Sequence, residues 1–464
     1  MSNWLDESFD VAAPKNRRIR FAEKMPRAAV LISAGTFVGR NYAGNPYPFR
    51  ASSHFLYFMG EAGAHLAGTH LLCDDGEWTL FARQPDAGDA LWHGQTPSLT
   101  DLAKGLNIQT ASLDELANRL KNRSVTSLPV ACAQTKRLQA ELLGLPPGEK
   151  LDLQNEAVEA VIQLRLVHDD AALGGLREAA IATTAAHLAG MASTRVGKGE
   201  WEVRAEMEHA LMARQMTTAY GAIVSTHGEV LHNHHHTHVM NDGDLLLVDV
   251  GAETQAGYAG DVTRTWPVNG KFSTTQREIY EIVLQAEKAA IDKVAPGVRY
   301  RDVHLSAARS LTQGLVDLEI LTGDVDELVA DDVHALFFPH GVGHLLGLDV
   351  HDMEDLGDLA GYQKGRVRSE RFGLGFLRLD RDLEENMAIT IEPGFYQVPA
   401  ILLDEERCAC AKGRLNRERL KAFADVRGIR IEDDIRVGKH GADVLTSNIP
   451  VEIADVERAV SGED

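Results

Sequence analysis

The chain has 464 residues, 44% hydrophobic and 25% charged, the balance of an ordinary globular protein with room for two or three domains. Its formal charge of −21 excludes nucleic acid and anionic membrane as expected partners, because a polyanion would be repelled over most of the surface. Small-molecule or peptide chemistry is the expectation that remains.

The opening segment, MSNWLDESFDVAAPKNRRIRF, carries acids early and no apolar core, so it reads as neither a secretory signal nor a spanning helix. No later stretch is apolar for long enough to span a bilayer, and a cytoplasmic location is expected. Cys73, Cys132, Cys408 and Cys410 are few and irregularly spaced, which predicts reduced free thiols rather than a zinc site or a disulfide framework. Short apolar runs, Ala29 to Ile32 and Gly68 to Leu72, alternate with turn residues and helix-like stretches and predict an α/β unit. LPPGEK at 145–150 is a break. From Asn155, VEAVIQLRLVHDDAALGGLREAAIATTAAHLAGM returns aliphatic residues every three or four positions and predicts helix. The domain boundary is placed near residue 170, giving an N-terminal α/β domain over 1–170 and a second domain over 171–464.

Further on, LHNHHHTH at 231–238 sets five histidines in eight positions and raises the question of a metal. TTQREIYEIVLQAEKAAIDKVAPG predicts an amphipathic helix, with Thr275 and Glu278 as a capping box, a stripe of Ile279, Ile282, Val283 and Ala286, and Pro296-Gly297 as the stop. DGDLLLVDVG, AITIEPG and IRIEDDIRV are short, β-branched and bounded by turn residues, as strands are.

Each of those strands carries an acid, and GYAGDVTRTW adds Asp261. Burying an ionised carboxylate is costly unless a cation or several donors compensate it, so Asp249, Asp261, Glu392 and Glu432 need a common explanation. Two divalent cations would balance four negative charges. Carboxylate-rich sites favour ions such as Mn²⁺, and paired ions are a recurring hydrolytic device that turns water into a nucleophile near neutral pH. FFPHGVGHLLGLDVHD adds His340, His344 and His351. The spacing of His340 and His344 matches HExxH, but Gly341 stands where the Glu belongs and, with Gly343, disfavours a helix, which argues against a mononuclear zinc peptidase.

With these residues in view, the chain resembles the M24 metallopeptidases, specifically the Xaa-Pro group containing aminopeptidase P and prolidase. VDVGAE, GYAGDVTRTWPVNGKF, GDVDELVADDVHALFFPHGVGHLLGLDVHD, TIEPGFY and RGIRIEDD stand in the family's order across about residues 155 to 450, and RNYAGNPYPFRASSHFLYFMG with DALWHGQ extends the likeness to the N-terminal domain. The resemblance implies an N-terminal α/β domain followed by a pita-bread catalytic domain. It implies two divalent ions, Mn with Co or Zn as alternatives, held by Asp249, Asp261, His344, Glu392 and Glu432. It also implies attack of a bridging hydroxide on an Xaa-Pro carbonyl with Glu392 as general base, His351 and His232 donating to the oxyanion, and His340 lining the proline pocket. His232 is the histidine of the 231–238 run that matches the family; His234, His235, His236 and His238 are expected in a solvated loop.

Arg430, two positions before Glu432 in a strand pattern, is expected on the same face and able to hold a ligand carboxylate. Tyr258 is a candidate for positioning Asp261, and Trp92 for walling the proline pocket, in relatives sometimes from a neighbouring subunit. Arg378, fourteen residues before Glu392, falls where prolidases have an Arg that reads the dipeptide carboxylate. That inclines the expectation to Xaa-Pro dipeptidase, with Xaa-Pro aminopeptidase acting on longer peptides as the alternative. GLVDLEILTGDVDELVADD and RNYAGNPYPFR favour that alternative. A silent peptide-binding member of the fold is the rival of another class, and hydrolysis of phosphotriesters on the same centre stays open. A homo-oligomer, dimer or tetramer, is expected.

Overall fold

Val30, Leu31 and Ile32 are buried on both faces of the strand they form, β1 (Ala29–Ser33), as befits a continuous apolar run. The computed structural model describes residue 5 and residues 9–86, 88–146 and 149–462; Pro147 and Gly148 of the expected break, and most of the first eight residues, lie outside them. The described chain divides into two compact units. One comprises the chain up to Leu166 with Gln255–Gly257 and Asp355–Leu359, and the other comprises the remainder.

In the first unit β1 pairs antiparallel with β2 (His70–Asp74) and parallel with β5 (Val125–Ser127). β3 (Glu77–Ala82) and β4 (Gln109–Ser112) complete a five-stranded sheet in the order β4-β3-β2-β1-β5. Leu31, Leu72, Phe81, Leu116 and Leu120 close its core on one face. Phe21 from the helix Ala12–Lys24, Phe58 from the helix Ser53–Met59 and Trp78 from β3 form an aromatic cluster with centroids 5.0–5.6 Å apart, Phe21 meeting the other two edge-on. Two buried cations of the first helix, Arg17 and Arg18, donate to the Tyr57 and Phe58 carbonyls at 3.2 and 2.6 Å, satisfying acceptors that the end of the second helix leaves open.

The second unit is built from small sheets and long helices. β7 (Ile223–Ser225), β8 (Leu245–Asp249) and β10 (Thr263–Pro267) form one sheet in the order β10-β8-β7. β11 (Ala388–Ile391), β14 (Asp433–Val437) and β15 (Ala442–Val444) form another. β12 (Gly394–Tyr396) pairs with β13 (Gly428–Arg430), and β6 (Thr217–Thr218) with β9 (Ala252–Glu253). The helices include Asp170–Ser193, Glu200–Met212, Thr274–Ile291 and Tyr300–Asp317. In Thr274–Ile291 the expected stripe of Ile279, Ile282, Val283 and Ala286 is buried.

Two local expectations are corrected. The cap of that helix is Ser273 with Gln276, not Thr275 with Glu278: Ser273 Oγ accepts from the Gln276 amide, while the Thr275 hydroxyl is turned to Asp425 Oδ2 at 2.7 Å. IRIEDDIRV is two strands rather than one. The chain leaves β13 after Arg430, the Glu432 amide donates to the Thr263 carbonyl of β10, and β14 begins at Asp433. The four cysteines are free, as expected.

Candidate metal centre

The ends of the two three-stranded sheets bring the anomalous acids together. Asp249 closes β8 and faces Thr263 of β10 in the ladder, so Asp261, two residues before Thr263, lies at the same end of that hairpin. Ile391 of β11 faces Asp433 of β14, which places Glu392 and Glu432 at the matching end of the other sheet. Asp249, Asp261, Glu392 and Glu432 line one cavity of about 490 Å³ together with His232, His340, His344, His351, Arg378 and Arg430. The 340–344 segment is not helical. Gly343 has φ +152, and a Cβ there would lie 2.2 Å from the Thr390 carbonyl, so only glycine lets this segment dock against β11 and carry His344 into the cavity.

Single ligand atoms of Asp261, His344 and Glu432 lie within 4.8 Å of one another, and all three side chains are buried. His344 Nε2 is 3.2 Å from Asp261 Oδ2 and 3.9 Å from Glu392 Oε1. Its Nδ1 donates to the Leu345 carbonyl at 2.9 Å, which turns Nε2 toward the acids. Burial would lower this imidazole, but without metal the Asp261 carboxylate outweighs burial and raises it, so Nε2 carries a proton that a bound cation would displace. Burial raises the carboxyls of Asp261 and Glu432, and raises Glu392 to about 7. The cationic side chain set among them is Arg430, whose Nη2 donates to Asp249 Oδ2 at 2.5 Å. Four carboxyls, one imidazole and one guanidinium crowd a largely buried site, and the carboxyls hold their protons there unless cations replace them. That donor set fits divalent cations.

The other imidazoles that line the cavity, His340, His351 and His232, are lowered. Burial and then the nearby Arg430 lower His340 to about 3; it makes bonds of 2.8 Å from Nδ1 to the Gly341 carbonyl and 2.9 Å from Nε2 to Tyr396 Oη. The Tyr396 hydroxyl accepts from Arg430 Nη1 at 3.1 Å, so its own proton is directed to His340 Nε2 and His340 carries its proton on Nδ1. His351, its ring 4.3 Å from that of His344, is lowered to about 2 by that neighbour and by burial, and burial also lowers His232.

Arg430 and Glu432 both line the cavity although the strand breaks between them. Arg378 lines its mouth. Tyr258 does not: its ring packs over Gly175, where a Cβ would lie 2.3 Å away. The hydroxyl beside the acids belongs to Tyr220, which bonds Asp249 Oδ1 and Asp261 Oδ1, both at 2.6 Å. Trp92 is 78% exposed in the first unit and is not one of the cavity-lining residues. His234 and His235 are exposed, as a solvated loop requires, whereas His236 bonds the Ala222 carbonyl and His238 the buried Glu200 carboxylate. Besides Tyr220, sequence reasoning missed Thr263, whose hydroxyl donates to Glu432 Oε2 at 2.6 Å, and Asp434, whose two oxygens accept the Asp261 amide at 3.1 Å. Tyr396 and Asp434 stand inside the motifs TIEPGFY and RGIRIEDD; nothing in the spacing around Tyr220 marks it.

Residues 174–439 match Metallopeptidase family M24, and residues 15–127 match the aminopeptidase P N-terminal domain. The chain belongs to metallopeptidase family M24. Its relatives carry two different names. The Xaa-Pro aminopeptidase of Haemophilus influenzae is 33% identical over 458 residues, 96% of each chain. The human Xaa-Pro dipeptidase is 30% identical over 451 residues, 94% of this chain and 89% of its own length. Zinc-substituted Escherichia coli aminopeptidase P, solved in complex with product, superposes with a TM-score of 0.80 at 29% identity, covering 98% of this chain and 99% of the other. The expected fold, an N-terminal α/β domain followed by a pita-bread catalytic domain, is the one this likeness shows.

Proposed function

We propose that the chain is a divalent-metal-dependent exopeptidase that hydrolyses Xaa-Pro bonds, and that it acts on dipeptides. The relatives named Xaa-Pro aminopeptidase and Xaa-Pro dipeptidase support the bond. The observation that carries the dipeptide reading is Arg378, a guanidinium at the mouth of a cavity whose floor is acidic. A dipeptide presents its carboxylate close to the scissile bond, where the acids repel it and a planar, two-pronged cation receives it.

Asp249, Asp261, His344, Glu392 and Glu432 would hold two divalent ions, manganese being the expected metal. When bound, the ions supply a water-derived nucleophile at neutral pH and polarise the scissile carbonyl. Glu392 takes the proton of the attacking water and hands it to the departing imide nitrogen. His351 and His232, which line the cavity, donate N–H to the oxygen that becomes negative. His340, locked by Gly341 and Tyr396, forms a rigid wall for the proline ring. Proline needs such a wall because its nitrogen has no N–H for an extended-backbone grip. Retention of all five ligand positions favours a working hydrolase over a silent binding protein.

The alternative, removal of an N-terminal residue from longer Xaa-Pro peptides, is favoured by the Haemophilus influenzae relative. Incubating Mn²⁺-loaded protein with Gly-Pro, Ala-Pro and an Xaa-Pro-Yaa tripeptide separates the two. The dipeptides are expected to turn over faster, and faster tripeptide turnover would reverse the assignment.

A further inference from the structure

Arg378 has a partner that the proposed reaction does not use. Its Nη1 donates to Glu354 Oε2 at 3.1 Å, and the two side chains are 36% and 37% exposed. Among the described residues Glu354 is the carboxylate paired with this guanidinium. The backbone beneath Arg378 is fixed: the Leu377 carbonyl accepts from Tyr362 Oη at 2.7 Å and from Arg368 Nη1 at 2.8 Å, and the Asp380 amide donates to the Gly361 carbonyl at 2.8 Å. The anchor is held and the charged head sits at the solvent edge. Glu354 is set three residues beyond His351, in the short turn Glu354–Leu356, so it reaches the mouth from the same segment that supplies an oxyanion donor.

We infer that Glu354 is a specificity-determining latch: its carboxylate occupies the guanidinium of Arg378 in the free enzyme and must be displaced by the carboxylate of a dipeptide. The inference rests on the dipeptide reading of Arg378 given above. One carboxylate exchanges for another of the same geometry, so the latch taxes binding of every ligand that brings a carboxylate to this position. It leaves longer peptides, whose carboxylate lies further out, untaxed. An exposed ion pair is weak, so the tax is a small factor and not a block. The latch thus sets the balance between dipeptides and longer chains without touching the chemistry.

The test is steady-state kinetics of the Mn²⁺-loaded protein on Ala-Pro and on Ala-Pro-Ala, for Glu354→Gln, Arg378→Ala and the double variant. Glu354→Gln is expected to lower KM for Ala-Pro about two- to fivefold, the range set by an exposed pair, with kcat and tripeptide kinetics unchanged. The gain should shrink as salt is raised and vanish in the Arg378→Ala background. A KM for Ala-Pro that rises or stays level in Glu354→Gln overturns the latch, a rise meaning that Glu354 orients Arg378. So does an equal fall in KM when Arg378 is absent, which would be a general charge effect. If Arg378→Ala alone leaves KM for Ala-Pro unaltered, the dipeptide reading itself fails and the latch with it.

Discussion

The Tyr220 hydroxyl lies 2.6 Å from both Asp249 Oδ1 and Asp261 Oδ1, donating its one proton to one of them with the other in contact, and so sets the spacing of two proposed ligands. Groups that orient ligands in this way are commonly worth about 10–100-fold in metal affinity, and Tyr220→Phe is expected to lose that much while the fold persists, as competition with a fluorescent chelator would measure. Unchanged affinity would mean that Tyr220 does not position these ligands. Arg430 compensates Asp249 from within the buried cluster, so Arg430→Ala should destabilise the metal-free protein by about 3–5 kcal/mol in denaturant melts, the usual result of stranding a buried charge. A change under about 1 kcal/mol would show that Asp249 is compensated otherwise. The four acids were conspicuous in the sequence because a carboxylate beside apolar, β-branched residues is an anomaly that one dimension displays, although only Asp249 lies within a strand. His344 entered the ligand set through the resemblance to the family's motifs. Tyr220 and Glu354 were not conspicuous, since a hydroxyl near a strand and an exposed acid are common and only the folded chain shows what each touches.

Strand phase was a weaker guide than motif order. Alternation placed Arg430 and Glu432 on one face of a single strand; both do line the cavity, but because the chain crosses from β12 to β10 between them. A run of apolar and acidic residues cannot announce such a change of partner, whereas the glycines of FFPHGVGHLL did announce that the His340–His344 segment would not be a helix. Gly343 is the element-scale test. Gly343→Ala places a Cβ 2.2 Å from the Thr390 carbonyl and 2.4 Å from Tyr300 Oη, in a backbone region that strains any L side chain. The segment should lift from β11, lowering the Tm and the metal affinity together. A variant that melts lower yet binds metal as before would show that His344 is positioned by something other than this contact.

Across the whole molecule, carboxylates gathered at the ends of two sheets make stability depend on pH and on metal together. Asp261, Glu392 and Glu432 bind their protons more tightly folded than unfolded, chiefly through burial. For Glu392 the resulting stabilisation is complete below the unfolded value of 4.5 and is lost as pH rises through about 7. Metal-free protein should therefore lose stability across that window, and the rise in Tm on adding Mn²⁺ should grow over the same range as the ligands shed protons. A metal-induced rise independent of pH would mean that these acids are not the ligands. The central claim is that divalent ions held by this cluster drive cleavage at Xaa-Pro, and the most direct measurement is Ala-Pro hydrolysis by chelator-stripped protein during stepwise return of Mn²⁺. Negligible activity in the stripped protein, rising with added metal until two equivalents are bound, is the predicted result; full activity without metal, or none after reloading on either Ala-Pro or an Xaa-Pro-Yaa peptide, would contradict it.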